Sequence, residues 1–561
     1  MKPLKFFGAV DLNIKHCYSK RLGFLNGSPP FLEGIEPQNF RNLERHILGL
    51  RSGSTGDLES MLLQGLLPSE KQQKALQIVQ IDRLANEYPW IEELERSEVQ
   101  KIAPFSKIAP WSEVRSVYHD SFFEAHPNDI DRKSALIAIA NVKKTLAPGC
   151  LRVRSTTKVL EATATNTQWG LPYYVSKPDE AQIQSYVSIA ETDRLAGKVT
   201  RFPAVAGNRM QITPEKEVNK QRLVWIMPHS VVLNELTFAL PLMEALRAKE
   251  PSFASFAGTD STDAAISRIF DFARLNSSML ICMDFPAFDS TLGIDIIEIT
   301  FDIIKHWFPD SEAALLDDLC DNLLTIPLLT PEGVWLDKKG GMPSGSGFTT
   351  VANTISHMWI REYVKVRSGL AKVKSQSVNC GDDGVWCIPG LEKLSIENAF
   401  TELGFEFREN KFLFSFDRAT YLQRHYRDDY RTGGITRGVR IFTRAFATMC
   451  YLERSPNPKI WSKYFESVRW IAQLENLKYH PYYRHLVDEI RKIDRLQLGI
   501  SVPGGVVNLF SLVGTEKEIN AKLSTYMWLD SQAIKGKKYP SLETVKIIEE
   551  LASNEYSTSN K

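Results

Sequence analysis

At 561 residues the chain exceeds what a single compact core organises, so several lobes or domains are expected. Its 43% hydrophobic and 24% charged residues are those of a globular protein and exclude a disordered or fibrous chain. A formal net charge of +1 excludes a globally basic nucleic-acid binder, so any basic surface must be built locally.

The seven cysteines, Cys17, Cys150, Cys282, Cys320, Cys380, Cys387 and Cys450, are scattered and form no CxxC pair. That pattern argues against a disulfide framework or structural zinc and for a reducing compartment. The start, MKPLKFFGAVDLNIKHC, has too short an apolar run for a signal peptide. No run reaches the length of a membrane span; the nearest, Val231 to Leu246, is interrupted by Asn234, Glu235 and Glu244 and reads as an amphipathic helix.

In chain order, residues 1 to about 110 mix turns, such as NGSPP at Asn26 and RSGSTG at Arg51, with charged helical stretches. Residues 130 to 265 mix helix with irregular basic loops. Within them AGNRMQITPEKEVNKQRLVWIM places Arg209, Lys216, Lys220 and Arg222 before an apolar strand. Lys220 and Arg222 alternate toward one face of an extended segment, where cations suit a triphosphate. A solvated charge run with Glu215 and Glu217 is an equal alternative.

MLICMDF, Met279 to Phe285, reads as a buried strand ending on Asp284, with Asp289 five residues later. Asp289 or Ser290 suits a helix cap, a role unavailable to Asp284 at the end of an apolar run. IDIIEITFDIIKHWF follows as a helix with Ile297, Phe301, Ile304 and Phe308 on one face. KGGMPSGSGFTTVANTISH, from Lys339, is a glycine-rich loop opening a helix, suited either to anion binding or to a hinge. Asn353 falls one turn into that helix and suits a sugar hydroxyl; His357, a turn later, reads as a packed residue rather than a catalyst. SVNCGDDGVWC, Ser377 to Cys387, is a hairpin with Asp382 and Asp383 at its tip, which alone reads as an ordinary polar turn.

Beyond it, SIENAFTELGFEF reads as helix then strand, and ATYLQRHY, Ala419 to Tyr426, as one further strand. From about 440 the chain is helical, broken by SVPGGVVNLFSL (Ser501 to Leu512), and the tail ASNEYSTSNK reads as frayed. The fold class is α+β.

If the two strands are neighbours, Asp284 meets the aspartates of the turn, and carboxylates at close range need a cation. Oxygen-only ligands suit Mg²⁺ or Mn²⁺, and a pair of such ions suits phosphoryl displacement.

Basic strand, D-x4-D, SGSGxTxxxN and GDD, in this order over residues 165 to 430, resemble the viral RNA-dependent RNA polymerases. The wording GMPSGSGFTTVANT looks most like those of small double-stranded RNA viruses, the picobirnavirus and partitivirus group. The resemblance implies a right-hand fold of fingers, palm and thumb in its encircled, closed-hand form. It suggests an N-terminal region bridging fingers and thumb over 1–120, fingers over 121–270, palm over 271–300 and 339–430 around a fingers insertion at 301–338, and thumb and tail over 431–561. By the same resemblance Asp284, Asp382 and Asp383 are catalytic metal ligands for Mg²⁺ or Mn²⁺ in a two-metal site. Asp289, Ser344 and Asn353 read the ribose, and Lys220, Arg222 and Arg209 hold the triphosphate. Lys411 protonates the leaving pyrophosphate. WGLPYY, with Gly170 and Pro172, resembles a template-entry loop, Gly345 lies among the RNA contacts, and Arg424 grips the primer backbone.

The implied activity is template-directed ribonucleotide transfer in viral genome replication and transcription. The partners are template and nascent RNA, nucleoside triphosphates and a viral capsid protein, with no membrane, inside the virion and in the host cytoplasm. The alternatives are a reverse transcriptase and a non-catalytic RNA-binding or capsid-associated protein with a polymerase fold. A thumb loop at Ser501 to Leu512 is expected to prop a first nucleotide for primer-free starts.

Overall fold

The computed structural model describes residues 36–53, 58–105, 108–125, 127–163, 167–210, 221–285, 287–452, 461–514 and 542–559. The first helix among the described residues, α1 (Pro37–Ser52), carries Leu43, Ile47 and Leu50 at spacings of four and three residues, which gather on one face. Leu43 and Ile47 pack there against Leu171, Phe202 and Val205. Helices α2 (Pro68–Ile78), α3 (Ile81–Glu87) and α4 (Pro89–Glu98) pack instead with the C-terminal helices: Ala75, Leu84 and Ile91 share a core with Phe446, Val468 and Ile471. Glu95 of α4 is fully buried and accepts the backbone N–H groups of Phe442 (2.5 Å) and Thr443 (2.8 Å). A carboxylate there satisfies free donors at a helix start and complements its dipole. The chain then returns through α5 (Trp111–Phe123), whose Trp111 and Phe122 share a core with Trp225 and Leu328. The N-terminal stretch thus packs both against residues of the 171–225 region and against the C-terminal helices.

Strands β1 (Ala204–Met210) and β2 (Gln221–Ile226) pair antiparallel, with Arg209 opposite Arg222. Helices α6 (His229–Lys249) and α7 (Thr259–Leu275) lead to β3 (Leu280–Asp284). After β3 come α8 (Ile294–Trp307), α9 (Ala313–Thr325) and the hairpin β4 (Leu328–Thr330) and β5 (Gly333–Trp335), which adds to β1 in the order β2-β1-β4-β5. The long helix α10 (Thr349–Arg367), the hairpin β6 (Gln376–Cys380) and β7 (Asp383–Cys387), and β8 (Phe412–Ser415) complete the centre.

The central sheet has the order β6-β7-β3-β8 with antiparallel neighbours. Strand alternation sends Ile281, Met283 and Trp386 into one core with Ile297 and Phe301 of α8 and Ile355 and Trp359 of α10. Leu280, Cys282, Val378 and Val385 face the other way, onto Ile266, Ile269 and Phe270 of α7. Both faces are covered, which is why MLICM is apolar at every position rather than at alternate ones.

Three expectations need correction. ATYLQRHY is two strands, β9 (Arg418–Tyr421) and β10 (Arg424–Arg427), joined by Leu422 and Gln423 at φ +50 and +59. Positive φ at both central residues is the geometry of a tight two-residue hairpin turn. Most of the Ser501–Leu512 segment is helical. After the C-terminal helices α11 (Phe442–Cys450), α12 (Lys463–Glu475) and α13 (Tyr483–Ile493) comes α14 (Gly505–Val513), with Val506, Leu509 and Phe510 buried. A loop free to prop a nucleotide is therefore confined to the few residues before Gly505. Residues 552–559 of the tail continue a helix, α15 (Glu543–Ser559), which docks ahead of them through Val545 and Ile548, and Glu475 accepts the backbone N–H groups of Glu543 and Thr544 at its start.

Candidate active site

The register of the central sheet places Asp284 directly opposite Asp383 at the end of β3 and β7. On the other side of β3, Met283 pairs with Phe412. Lys411 directly precedes β8, as the last residue of the short helical turn Glu409–Lys411. Residues from three separate stretches of sequence thus meet at one sheet edge.

The β6–β7 turn holds Asp382. Cys380 pairs with Asp383, leaving Gly381 and Asp382 as the two turn residues, with Gly381 at φ +62. Nothing crowds Gly381, so glycine serves its backbone conformation there rather than its packing. Both peptide groups flanking its Cα are held from α10. The Gly381 N–H donates to Thr354 Oγ1 (2.9 Å), and His357 Nδ1 lies 3.0 Å from the Gly381 carbonyl oxygen. Since that oxygen only accepts, His357 carries its proton on Nδ1. Burial lowers the imidazole pKa to about 3, so the ring is neutral. The same ring explains Gly384: a Cβ there would lie 2.4 Å from His357 Cε1.

Asp382 and Asp383 are half-buried. Burial first, and then the neighbouring carboxylates, push the Cys380 thiol up to about 12. Cys282 is raised to the same level, again mainly by burial. Both thiols stay protonated, and His357 Nδ1 is committed to Gly381. The donors offered at this edge are therefore carboxylate oxygens, a hard set that fits Mg²⁺ or Mn²⁺ rather than a thiolate-seeking metal.

Asp289 sits on the short helix Phe288–Thr291, and Asn353 on the second turn of α10. Asn353 Nδ2 donates to Asp289 Oδ1 at 2.6 Å. Burial raises the Asp289 carboxyl above its ordinary range, opposed by this hydrogen bond and by the charge of Arg222. Asn353 is buried and its Oδ1 has no partner among the described residues, which leaves an acceptor for a ligand hydroxyl.

The glycine-rich loop is tied down on several sides. Gly341 N–H donates to Leu292 O (2.7 Å), Met342 N–H to Asp289 O (2.5 Å) and Gly347 N–H to Glu235 Oε2 (2.6 Å). Burial raises Glu235 to about 7, opposed by its bonds to Gly347 and Ser346. Lys338 is buried, donates to Leu323 O and Gly341 O, and is lowered by desolvation to about 7. Exposed Ser344 accepts from the Trp225 N–H (3.3 Å), and a Cβ on exposed Gly345 would meet Trp225 O at 2.1 Å. The loop thereby lies against β2, which carries Arg222. Arg209 and Arg222 are both exposed. Lys220 and Lys216 lie outside the described residues.

Three of the expected RNA-contact positions are buried. Gly170 has φ +63 and a Cβ there would meet Met227 O at 2.3 Å, while Pro172 is also buried. Both shape a loop packed on the β2–α6 junction. Arg424 is 6% exposed; it donates to Gly438 O, lies 4.0 Å from buried Asp263 and sits over the Tyr479 ring. That guanidinium ties β10 to α7 and the C-terminal helices.

Sequence reading missed Glu235 and Lys338 and did not foresee what Thr354 and His357 hold. The one local signal was the glycine after the double aspartate, which requires a large neighbour at close range.

The family model described as viral RNA-dependent RNA polymerase matches residues 152–485. A potential RNA-dependent RNA polymerase of human picobirnavirus (strain Human/Thailand/Hy005102/-) is 27% identical over 447 residues, 77% of this chain and 81% of that protein. The RNA-directed RNA polymerase of Cryptosporidium parvum virus 1 is 24% identical over 344 residues, 58% of this chain and 62% of that protein. The crystal structure of the RNA-dependent RNA polymerase of a human picobirnavirus superimposes with a TM-score of 0.73 at 22% identity, covering 90% of this chain and 98% of that one.

Proposed function

Since this chain belongs to the viral RNA-dependent RNA polymerases, with their right-hand fold and RNA-directed RNA polymerase activity, we propose that it extends RNA at the sheet edge where Asp284 faces Asp383, by a two-metal mechanism. The observation that carries this reading is that register. Asp284, Asp382 and Asp383 would hold Mg²⁺ or Mn²⁺. Such ions, when bound, neutralise the charge that develops on the attacking and leaving oxygens.

The chain's own residues do the positioning. A polymerase takes an RNA template and nucleoside triphosphates, and the 3′-hydroxyl of the growing strand attacks the α-phosphate as pyrophosphate leaves. Arg209 and Arg222, with Lys220, hold the triphosphate by charge. The Asp289–Asn353 pair, with Ser344, binds the ribose hydroxyls; the 2′-hydroxyl is what separates ribonucleotides from deoxyribonucleotides. Lys411, directly before β8, supplies a proton to the departing pyrophosphate. Gly345 contributes backbone exposed in the loop beside β2. Replication and transcription of a viral genome, a capsid protein partner and action inside the virion and in the host cytoplasm rest on family membership alone. No helix among the described residues is long and apolar enough to cross a membrane.

Extension of a primer on an RNA template, compared between ribo- and deoxyribonucleoside triphosphates with Mg²⁺ or Mn²⁺, tests the reading. Ribonucleotide incorporation is expected, and a clear preference for deoxyribonucleotides overturns it.

A further inference from the structure

Successive residues of α10 serve the two halves of the site. Asn353 bonds Asp289, while Thr354 and, one turn on, His357 bond the turn that carries Asp382. The Thr354 hydroxyl proton is already given to Thr350 O (2.7 Å), so a lone pair of its oxygen is left to receive the Gly381 N–H. His357 takes the carbonyl on the other side of the same Cα. Together they fix the two peptide planes around Gly381, and glycine is the residue type least able to fix its own backbone.

The imidazole is a poor choice for packing alone. It is fully buried, with the rings of Phe285 (5.1 Å) and Trp386 (5.4 Å) around it. Its Nε2 is buried without a partner among the described residues, a state that costs stability and that a phenylalanine would avoid. What the histidine adds over phenylalanine is the bond to Gly381.

We propose that Thr354 and His357 are positioning residues that hold the Gly381–Asp382 turn so that its carboxylates bind a divalent cation. The proposal rests on the metal reading above. Groups behind metal ligands commonly set affinity by their hold on ligand orientation.

The test is Mn²⁺ binding to the full chain, followed by electron paramagnetic resonance, with thermal melting measured alongside. The wild-type chain is expected to show a site that Asp382→Ala loses. Thr354→Val, which keeps shape but removes the acceptor, is expected to weaken it roughly 10-fold, and Thr354→Ser to restore it. His357→Phe is expected to weaken it similarly while melting no lower than wild type, a combination that a purely structural role does not give. Wild-type Mn²⁺ affinity in both Thr354→Val and His357→Phe, with Asp382→Ala still inactive in binding, overturns the positioning role and leaves the metal reading standing. Absence of any Asp382-dependent site in the wild-type chain overturns both. If His357→Phe does not fold, the Thr354 pair decides alone.

Discussion

Asn353 donates its side-chain amide to Asp289 across 2.6 Å, joining the second turn of α10 to the short helix that follows β3. The bond uses the amide's donor and leaves its buried oxygen without a partner among the described residues. A ligand hydroxyl that donates to that oxygen completes the amide. Asn353→Ala is therefore expected to reduce the preference for ribo- over deoxyribonucleotides about 10-fold, the value of one hydrogen bond of about 1.4 kcal/mol. The ratio of kcat/KM for the two nucleotide classes measures it. An unchanged ratio removes the pair from sugar recognition.

Gly384→Ala is expected to cost about 1–3 kcal/mol in urea unfolding, because the new methyl meets the His357 ring at contact distances no side chain tolerates. Combining it with His357→Ala should recover part of that loss. The coupling in the double-mutant cycle separates this clash from general strain in the hairpin. Strict additivity of the two changes places the cost elsewhere.

Arg424→Ala is expected to lower stability by about 3–5 kcal/mol, since it leaves Asp263 buried with less compensation. Affinity for primer–template RNA in the folded variant should stay near that of wild type. A large loss of RNA affinity at unchanged stability returns Arg424 to the primer strand.

Glu235 gives a pH prediction. Its folded-state pKa, about 7, lies above its ordinary 4.5 because burial disfavours the charge. The folded chain thus holds a proton there that the unfolded chain releases. The contribution is full below the unfolded pKa and is lost as pH rises from about 4.5 through about 7, amounting to roughly 3 kcal/mol. Glu235→Gln keeps an acceptor for Gly347 and removes the titration. Its melting temperature should fall less than that of wild type between pH 5 and 8. Parallel curves contradict the assignment.

How far the sequence could be read depended on how local each signal was. Asp284 stood out because a buried run ending on an acid has few structural uses, whereas the Asp382–Asp383 turn alone read as an ordinary polar turn and gained meaning only beside it. Arg424 was not legible, because the turn before it is made by Leu422 and Gln423 rather than by glycine or asparagine. Without a turn-forming residue to break it, the stretch reads as one strand and leaves the arginine's direction open. The two glycines at Gly504 and Gly505 suggested a loop, yet the apolar residues after them supply the buried face of α14. Glu235 looks like an interruption in an apolar helix, and only the fold reveals Gly347, 112 residues away, as its partner. Thr354 and His357 lie 27 and 24 residues from the turn they hold, a distance no local pattern encodes.

The central claim is that the carboxylates at the β3–β7 edge make this chain a metal-dependent RNA polymerase. Its most direct test is Mg²⁺- or Mn²⁺-dependent ribonucleotide incorporation on an RNA template by wild type and by Asp382→Ala, with melting and RNA binding as controls. The account predicts metal-dependent synthesis by wild type and its loss in a variant that still folds and binds RNA. Undiminished synthesis by folded Asp382→Ala would contradict it.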